Sequence, residues 1–329
     1  MKLLIGVTLV LALGWAGYWW VGAGAREAAV KAFLAEQRAA GWVAEADAVR
    51  VTGFPNRFDA MLDDVTLADP EAGWAWEGDQ LAVLALSYRD DRVIVTFPGQ
   101  HRLAVPEGAM EVSGDVLRAS VANAAGRLTR IVGEGQVVRL AFAQGSAEVS
   151  RLGFGTDAPE RGEVQRLGLT LTDVALDDGL RAQLDPAGIF SDWVERLHMD
   201  VTATFARPPE LPVVGGVPDV ETLVVRDMSL RWGALDLRGQ GEVRADPLGY
   251  AEGELNLRVR DWEAVLASAE AAEAIGPAQA EALELALGLL AGISGGRDAI
   301  EVPLAFDEGS TFIGPVRIGD APRLAGLRP

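Results

Sequence analysis

The chain has 329 residues, of which 49% are hydrophobic and 23% are charged, a composition that supports a folded core and argues against a disordered chain. Its formal net charge of −19 argues against a nucleic-acid partner, because a phosphate backbone would be repelled. The absence of cysteine excludes disulfides, thiolate zinc sites, cysteine-ligated iron–sulfur clusters and cysteine nucleophiles.

The amino-terminal segment predicts a membrane anchor. Residues 3–20 carry no charge, and the next charged residue is Arg26. As a helix this run would extend about 27 Å, close to the ~30 Å hydrocarbon thickness of a bilayer. It closes on Tyr18, Trp19 and Trp20, residue types that are enriched at membrane interfaces. Because a basic residue precedes the run, we expect residues 3–20 to cross the inner membrane once, with the body in the periplasm.

A second interpretation of this segment stays open. Residues 23–25 read Ala-Gly-Ala, which is typical of a signal-peptidase site, and cleavage before Arg26 would give a soluble periplasmic protein. The apolar run is longer than the ~7–15 residues of a signal-peptide core, which favours a retained anchor. A buried helix of a soluble protein is the least favoured interpretation.

The rest of the chain predicts a short helix followed by a β-rich body. Residues 1–25 form the anchor or signal segment, residues 26–41 an amphipathic helix, and residues 42–329 the exported body, in which the hydrophobic period is mostly two. Residues 81–86 are apolar at every position, which predicts a central strand covered on both faces. A boundary near residues 155–165 would divide the body into two sub-domains.

The most regular alternation lies in the carboxy-terminal half. Two strands meet at a Gly233-Ala234 turn, and a third follows a turn at residues 246–249, which predicts an antiparallel meander with arginines on its wet face. Eight apolar residues fall on its dry face, which we interpret as a candidate lipid-binding surface: Met228, Leu230, Trp232, Leu235, Leu237, Leu255, Leu257 and Val259.

Three further helices are predicted within the body. They cover residues 186–195 from Pro186, residues 262–274 capped by Asp261, and residues 277–292 from Pro277. The last two would pair and cover the dry face of the sheet. The predicted fold is therefore α+β and mostly antiparallel β: an N-terminal transmembrane helix, then a long curved meander sheet with a few covering helices.

A search for catalytic chemistry finds no candidate. His101 and His198 are the only histidines, and we interpret both as ordinary strand positions. The paired aspartates lack the spacing of a calcium loop, and there is no Gly-x-Ser-x-Gly nucleophile motif. We expect no enzyme activity, no metal and no cofactor.

Several stretches resemble a family of bacterial envelope proteins known as domain of unknown function 2125. Residues 51–59 read Val-Thr-Gly-Phe-Pro-Asn-Arg-Phe-Asp, residues 86–89 Leu-Ser-Tyr-Arg, and residues 302–309 Val-Pro-Leu-Ala-Phe-Asp-Glu-Gly, with Gly-Pro at 314–315 and Gly-Asp-Ala-Pro at 319–322. The resemblance implies an exported, anchored, β-rich protein and carries no catalytic residues. The overall arrangement also resembles, more distantly, the AsmA-like envelope proteins, which implies a curved sheet around a lipid-accommodating groove.

Two functions of different classes follow from these observations. The first is handling of a lipid or lipophilic ligand in an apolar groove of the sheet. The second is a structural or protein-interaction module whose apolar face is sealed by its own helices. A hydrolase is a distant third. The sequence identifies no protein partner.

Overall fold

A computed structural model describes residues 2–89, 91–106, 108–124, 127–157, 163–208, 219–294 and 299–324, with the side chains of residues 2–10, 124, 127, 128, 293 and 294 left out. Within these ranges it contains seventeen strands and four helices. Every strand pairing described is antiparallel, which confirms the predicted mostly antiparallel β class.

The elements divide between two compact units. Unit 1 comprises residues 1–126 and 133–143, and unit 2 comprises residues 127–132 and 144–329. Unit 1 contains α1 Lys2–Ala39, β1 Val43–Thr52, β2 Arg57–Asp69, β3 Trp74–Leu86, β4 Arg92–Thr96, β5 Gln100–Val105, β6 Gly108–Ser113, β7 Val116–Ala124 and most of β8 Arg127–Phe142.

Unit 2 contains the remaining elements. They are β9 Gly145–Asp157, β10 Val164–Leu176, α2 Asp178–Leu184, β11 Trp193–Phe205, β12 Val220–Trp232, β13 Leu235–Ala245, β14 Ala251–Arg260, α3 Trp262–Ala271, α4 Pro277–Ser294, β15 Ala299–Asp307, β16 Ser310–Ile313 and β17 Val316–Asp320. The predicted sub-domain boundary near 155–165 includes residues 158–162, which lie outside the described residues.

The amino terminus is a single helix. The predicted anchor and the predicted short helix of residues 26–41 are both parts of α1, which runs without a break to Ala39. Residues 3–10 of the predicted anchor lie outside the described side chains. Among the described residues, no helix has both the length and the apolar character needed to cross a membrane.

In unit 1, α1 packs against β1 and β2. Alternate residues of β2 point toward this helix because successive side chains of a strand lie on opposite faces. Ala60, Leu62 and Val65 form a buried cluster that Val30 of α1 contacts. β3 is a central strand, since it pairs with β2 on one side and with both β4 and β5 on the other.

In unit 2, β9 to β17 form an uninterrupted meander in which each strand pairs with the next. The predicted hairpin at Gly233-Ala234 is confirmed, with Trp232 opposite Leu235. Helix α4 begins at Pro277 as predicted and packs against β15 and α3. Its buried side is formed by Ala280, Leu283 and Leu287.

Two details of the helix prediction are wrong. No helix occupies residues 186–195; α2 instead precedes Pro186, because the Asp177 carboxylate accepts the N–H of Leu180 and caps the helix there. Asp185 then accepts the N–H groups of Ile189 and Phe190, which holds the following segment as a loop. Asp261 precedes α3 in a left-handed conformation, and its side chain makes no capping hydrogen bond.

Candidate functional site

The eight residues of the predicted dry face do share one face of unit 2. Residues directly opposite in antiparallel strands point to the same side. Leu230 lies opposite Leu237, which lies opposite Val259, and Leu257 lies opposite Val302 of the next strand. The face therefore extends beyond the predicted set onto β15.

One end of this dry face is closed by the protein itself. Trp232 is 7% exposed, lies 4.9 Å from the ring of Phe190, and donates from its indole N–H to the carbonyl of Ser191. Leu235 and Val259 are buried at the same end. The loop that precedes β11 thus seals this part of the sheet.

The other end of the dry face is closed as well. Val243, Ala251, Phe306 and Ala321 form a buried cluster there, against which Leu255 packs. Between the two ends, Met228, Leu230, Leu237 and Leu257 are only half-buried. The predicted set is therefore packed at its ends and partly accessible in its middle.

The opposite face of unit 2 is polar, as predicted. Arg166 donates two hydrogen bonds to Asp200, at 2.9 and 2.6 Å, and these hold the pKa of the Asp200 carboxyl below its ordinary value of 3.8. A cavity of about 150 Å³ on this face is lined by Asp236 and by arginines of β13 and β14. These ionic contacts suit a solvated surface rather than a site for an apolar ligand.

A more apolar cavity lies in unit 1, at the end of the β3–β4 hairpin. Its volume is about 400 Å³, and apolar atoms make up most of its surface. It is lined by Arg57, Leu84, Ala85, Leu86, Arg89, Arg92, Val93, Ile94, Thr96 and Arg118. We name it the arginine-rimmed cavity.

Strand register explains which side chains the arginine-rimmed cavity receives. Leu84 lies opposite Ile94, Arg57 opposite Leu86, and Thr96 opposite Arg118, so these side chains share one face. The other face of β2 carries Phe58, whose ring lies against Gly22 of α1. The cavity is thus on the face of the sheet that α1 does not cover.

This cavity corrects the prediction for residues 81–86. Their continuous apolar character predicts a strand covered on both faces, but Leu86 is 37% exposed and Leu84 is half-buried. Apolar residues at every position are needed here for a different reason. One face packs into the unit, and the other forms the apolar floor of the cavity.

Three of the four arginines at the rim form ion pairs. Arg57 contacts Asp59 at 3.0 Å, Arg89 contacts Asp91 at 2.8 Å, and Arg118 contacts Glu134. The hydrogen bond from Arg89 lowers the pKa of Asp91 below 3.8, and the charge of the nearby Arg92 adds to this effect.

The side chain of Arg92 makes no hydrogen bond or ion pair with the residues that the structure describes. The rim therefore has an excess positive charge. Guanidinium groups bind phosphate or carboxylate oxygens with two parallel hydrogen bonds, while Leu84, Leu86 and Ile94 offer an apolar surface. The arrangement suits an amphiphile with an anionic group and an apolar chain. The net acidity of the chain gave no hint of this rim.

The three predicted membrane-interface residues, Tyr18, Trp19 and Trp20, lie in different environments. The hydroxyl of Tyr18 donates to the carbonyl of Ser87, and the indole N–H of Trp19 donates to the carbonyl of Arg57. Trp20 is 77% exposed. Two of the three aromatic residues thus hold the helix to the sheet, an interaction that the sequence pattern did not predict.

The two histidines are not equivalent. His198 accepts or donates a hydrogen bond at 2.8 Å with Thr170 and is partly accessible, as expected for a strand position. His101 is 5% exposed and stacks on Trp76, with no hydrogen-bond partner among the described residues. His101 lies in a strand, as predicted, but its ring is buried, whereas that of His198 is partly accessible. Among the described side chains, no group of three acidic or histidine residues is placed to hold a metal ion.

Comparison with known proteins identifies the family. Residues 19–322 match the family model described as "Uncharacterized protein conserved in bacteria (DUF2125)". The chain belongs to this DUF2125 family. The match includes β1 to β17 and the carboxy-terminal part of α1. No curated protein and no solved structure matches the chain.

Proposed function

We propose that this DUF2125 protein is a non-enzymatic envelope protein that binds a lipid or a similar lipophilic ligand in an apolar groove of its sheet. The observation that supports this proposal is the arginine-rimmed cavity. Its volume of about 400 Å³ falls within the ~300–1,000 Å³ usual for ligand pockets. Its apolar floor suits an acyl chain, and its arginines suit the phosphate or carboxylate of a head group.

We place the protein in the inner membrane, crossing it once through residues 3–20, with the body in the periplasm. The charge-free run and the basic residue before it support this placement. Cleavage before Arg26 would remove Trp15, Tyr18 and Trp19, whose side chains hydrogen-bond to the sheet. These contacts favour a retained anchor over a cleaved signal peptide.

The placement is tested with a reporter that is active only in the periplasm, fused after Pro329, together with cell fractionation. Reporter activity in the membrane fraction is the expected result. Activity confined to the soluble periplasmic fraction, with a chain beginning at Arg26, would contradict the anchor. An inactive reporter on an intact chain would contradict export.

Ligand binding is tested by photocrosslinking in living cells. A photoreactive amino acid at Ile94, on the cavity floor, is compared with the same amino acid at Val105, in the same unit. The two positions are matched, since Ile94 is 39% exposed and Val105 is 40% exposed. We expect a lipid adduct at position 94 that is absent at position 105.

Two results would contradict the lipid proposal. The first is the absence of lipid adducts at position 94, and the second is a lipid adduct at position 94 that Leu84→Gln leaves unchanged, which would report only contact with bulk membrane. Leu84→Gln provides a further check, because a polar group on the floor should reduce the adduct at position 94. Thermal melting of the same variant verifies that the sheet remains folded.

A structural or protein-interaction module is the second candidate. The dry face of unit 2 favours it, because Trp232, Leu235 and Val259 are buried by segments of the same chain. Such packing leaves that part of the face unavailable to a ligand. Adducts to another protein at position 94, in place of lipid adducts, would support this function.

A further inference from the structure

The contacts of α1 point to a second membrane-facing element, made of two turns of unit 1. The first turn, residues 53–56, joins β1 to β2, and the second, residues 87–89, follows β3. Because β2 and β3 are antiparallel and Arg57 lies opposite Leu86, both turns lie at the same end of the sheet. We name them together the turn edge.

Three aromatic side chains of α1 donate hydrogen bonds that hold the turn edge and the adjoining first residue of β2 beside the helix. The indole N–H of Trp15 donates to the carbonyl of Pro55 at 2.7 Å, that of Trp19 donates to Arg57 at 2.7 Å, and the hydroxyl of Tyr18 donates to Ser87 at 3.2 Å. The ring of Phe54 also meets the ring of Trp19 edge to face. The turn edge is therefore level with helix residues 15–19.

Helix residues 15–19 lie inside the charge-free run of residues 3–20. The first charge after the run is Arg26, so residues 15–19 lie roughly 10–16 Å along the helix from that charge. If the helix crosses the bilayer, residues near the end of the run lie at the boundary between head groups and acyl chains. The turn edge is then held at the same depth.

The exposed side chains of the turn edge suit this depth. Phe54 is 57% exposed and Tyr88 is 68% exposed, and the adjacent Trp20 of the helix is 77% exposed. Aromatic residues are enriched at this boundary because one part of the ring system is apolar and another is polar. Arg57 and Arg89 lie close to the two aromatic residues in the chain. Each is paired with an aspartate, Asp59 or Asp91, and is about half exposed, so a lipid phosphate can reach either guanidinium group.

We propose that the turn edge contacts the bilayer that holds α1, with Phe54 and Tyr88 inserted among the lipid head groups. The occupant of this exposed apolar surface is thus the lipid surface itself. The proposal rests on the anchored placement in the proposed function and is independent of whether a lipid enters the arginine-rimmed cavity.

The experiment uses the lack of cysteine in the chain, which allows a fluorophore at any single introduced cysteine. Phe54→Cys and Tyr88→Cys are labelled with an environment-sensitive nitrobenzoxadiazole group in the full-length protein. The protein is reconstituted in vesicles of phosphatidylethanolamine and phosphatidylglycerol. Quenching by a nitroxide on the lipid is compared with quenching by aqueous cobalt ions.

Val105→Cys is the matched control. Val105 is in the same unit, next to Ala104, which lies opposite Ala75 near the Asp69 end of β2. That end is roughly 40 Å along the strand from Arg57. We expect the lipid nitroxide to quench positions 54 and 88 several-fold more strongly than position 105. We expect aqueous cobalt to quench position 105 more strongly than positions 54 and 88.

A fourth site, Leu13→Cys, separates this proposal from the anchor. Leu13 is 65% exposed on the helix and would lie among the acyl chains. A lipid-quenched position 13 with water-exposed positions 54 and 88 would overturn the turn edge alone. A water-exposed position 13 would overturn the anchored placement and this proposal with it. Because the two turn positions are tested separately, misfolding of one variant leaves the other as the test.

Discussion

The two units differ in how they treat the apolar face of their sheet. In unit 2, residues from the loop before β11 and from the carboxy-terminal segment pack onto the two ends of the dry face, so Trp232 and Phe306 are buried. In unit 1, α1 packs on the opposite face of the sheet, and the face that carries Leu84 and Ile94 is bordered by arginines. Apolar alternation alone therefore does not distinguish a core from a binding surface; the difference lies in what covers the residues.

The largest effect is expected from Trp232→Ala in unit 2. This change removes the contact with Phe190 and leaves the carbonyl of Ser191 without its indole donor. We expect a loss of about 3–5 kcal/mol in the free energy of unfolding, measured by urea denaturation. Trp193→Ala is the control, since Trp193 is 51% exposed and should lose less than about 1 kcal/mol. Equal losses would show that this end of the face is not sealed.

The second comparison is between the end and the middle of the dry face. Leu235 is 5% exposed, whereas Leu257 is half-buried. Leu235→Ala should cost about 2–5 kcal/mol, and Leu257→Ala should cost clearly less. Thermal melts of the two variants measure the difference. A loss at Leu257 as large as that at Leu235 would mean that the middle of the face is core as well.

A smaller effect on stability is expected in unit 1. Ile94→Ala removes partly exposed methyl and methylene groups, so the ligand-free protein should lose about 1 kcal/mol or less. A ligand that binds only the folded state raises its melting temperature. We expect added phospholipid to raise the melting temperature of the parent and to raise that of Ile94→Ala less. An identical rise in both would place the bound lipid elsewhere.

The smallest effect concerns the polar face of unit 2. The Arg166–Asp200 hydrogen bonds depress the pKa of Asp200, so their stabilisation is present above pH 3.8 and is lost as the pH falls through the depressed pKa. Arg166→Met should therefore reduce stability slightly near neutral pH and have no effect in strong acid. Urea denaturation at both pH values measures this. In an Asp200→Asn background the same change should show no dependence on pH.

The sequence predicts the strands that have one apolar and one polar face. Strands β12 to β14 alternate between apolar and charged residues, and Pro277 marks the start of α4, so local patterns suffice. Pro186 suits a helix start, so the sequence wrongly predicts a helix in the loop after α2. The cap by Asp177 and the two hydrogen bonds to Asp185, which prevent that helix, depend on local geometry.

The arginine-rimmed cavity was not predictable in the same way. Arg57, Arg92 and Arg118 come from three strands and are brought together only by strand register. A net charge of −19 distributed over the whole chain conceals such a local excess of positive charge. One signal was present, since residues 81–86 are apolar on both faces, but sequence alone gives no reason to prefer a cavity floor over a second packed layer.

The unbroken course of α1 also has a mechanical consequence. A helix from Lys2 to Ala39 is about 57 Å long. When one end of such an unbroken helix tilts, the other end tilts with it. A transmembrane helix changes its tilt when the thickness of the bilayer changes. In the proposed membrane placement, the sheet of unit 1 would tilt together with the helix, because Trp15 and Trp19 are tied to the sheet by hydrogen bonds. A change in the thickness of the membrane would then change the orientation of the strands that the helix contacts.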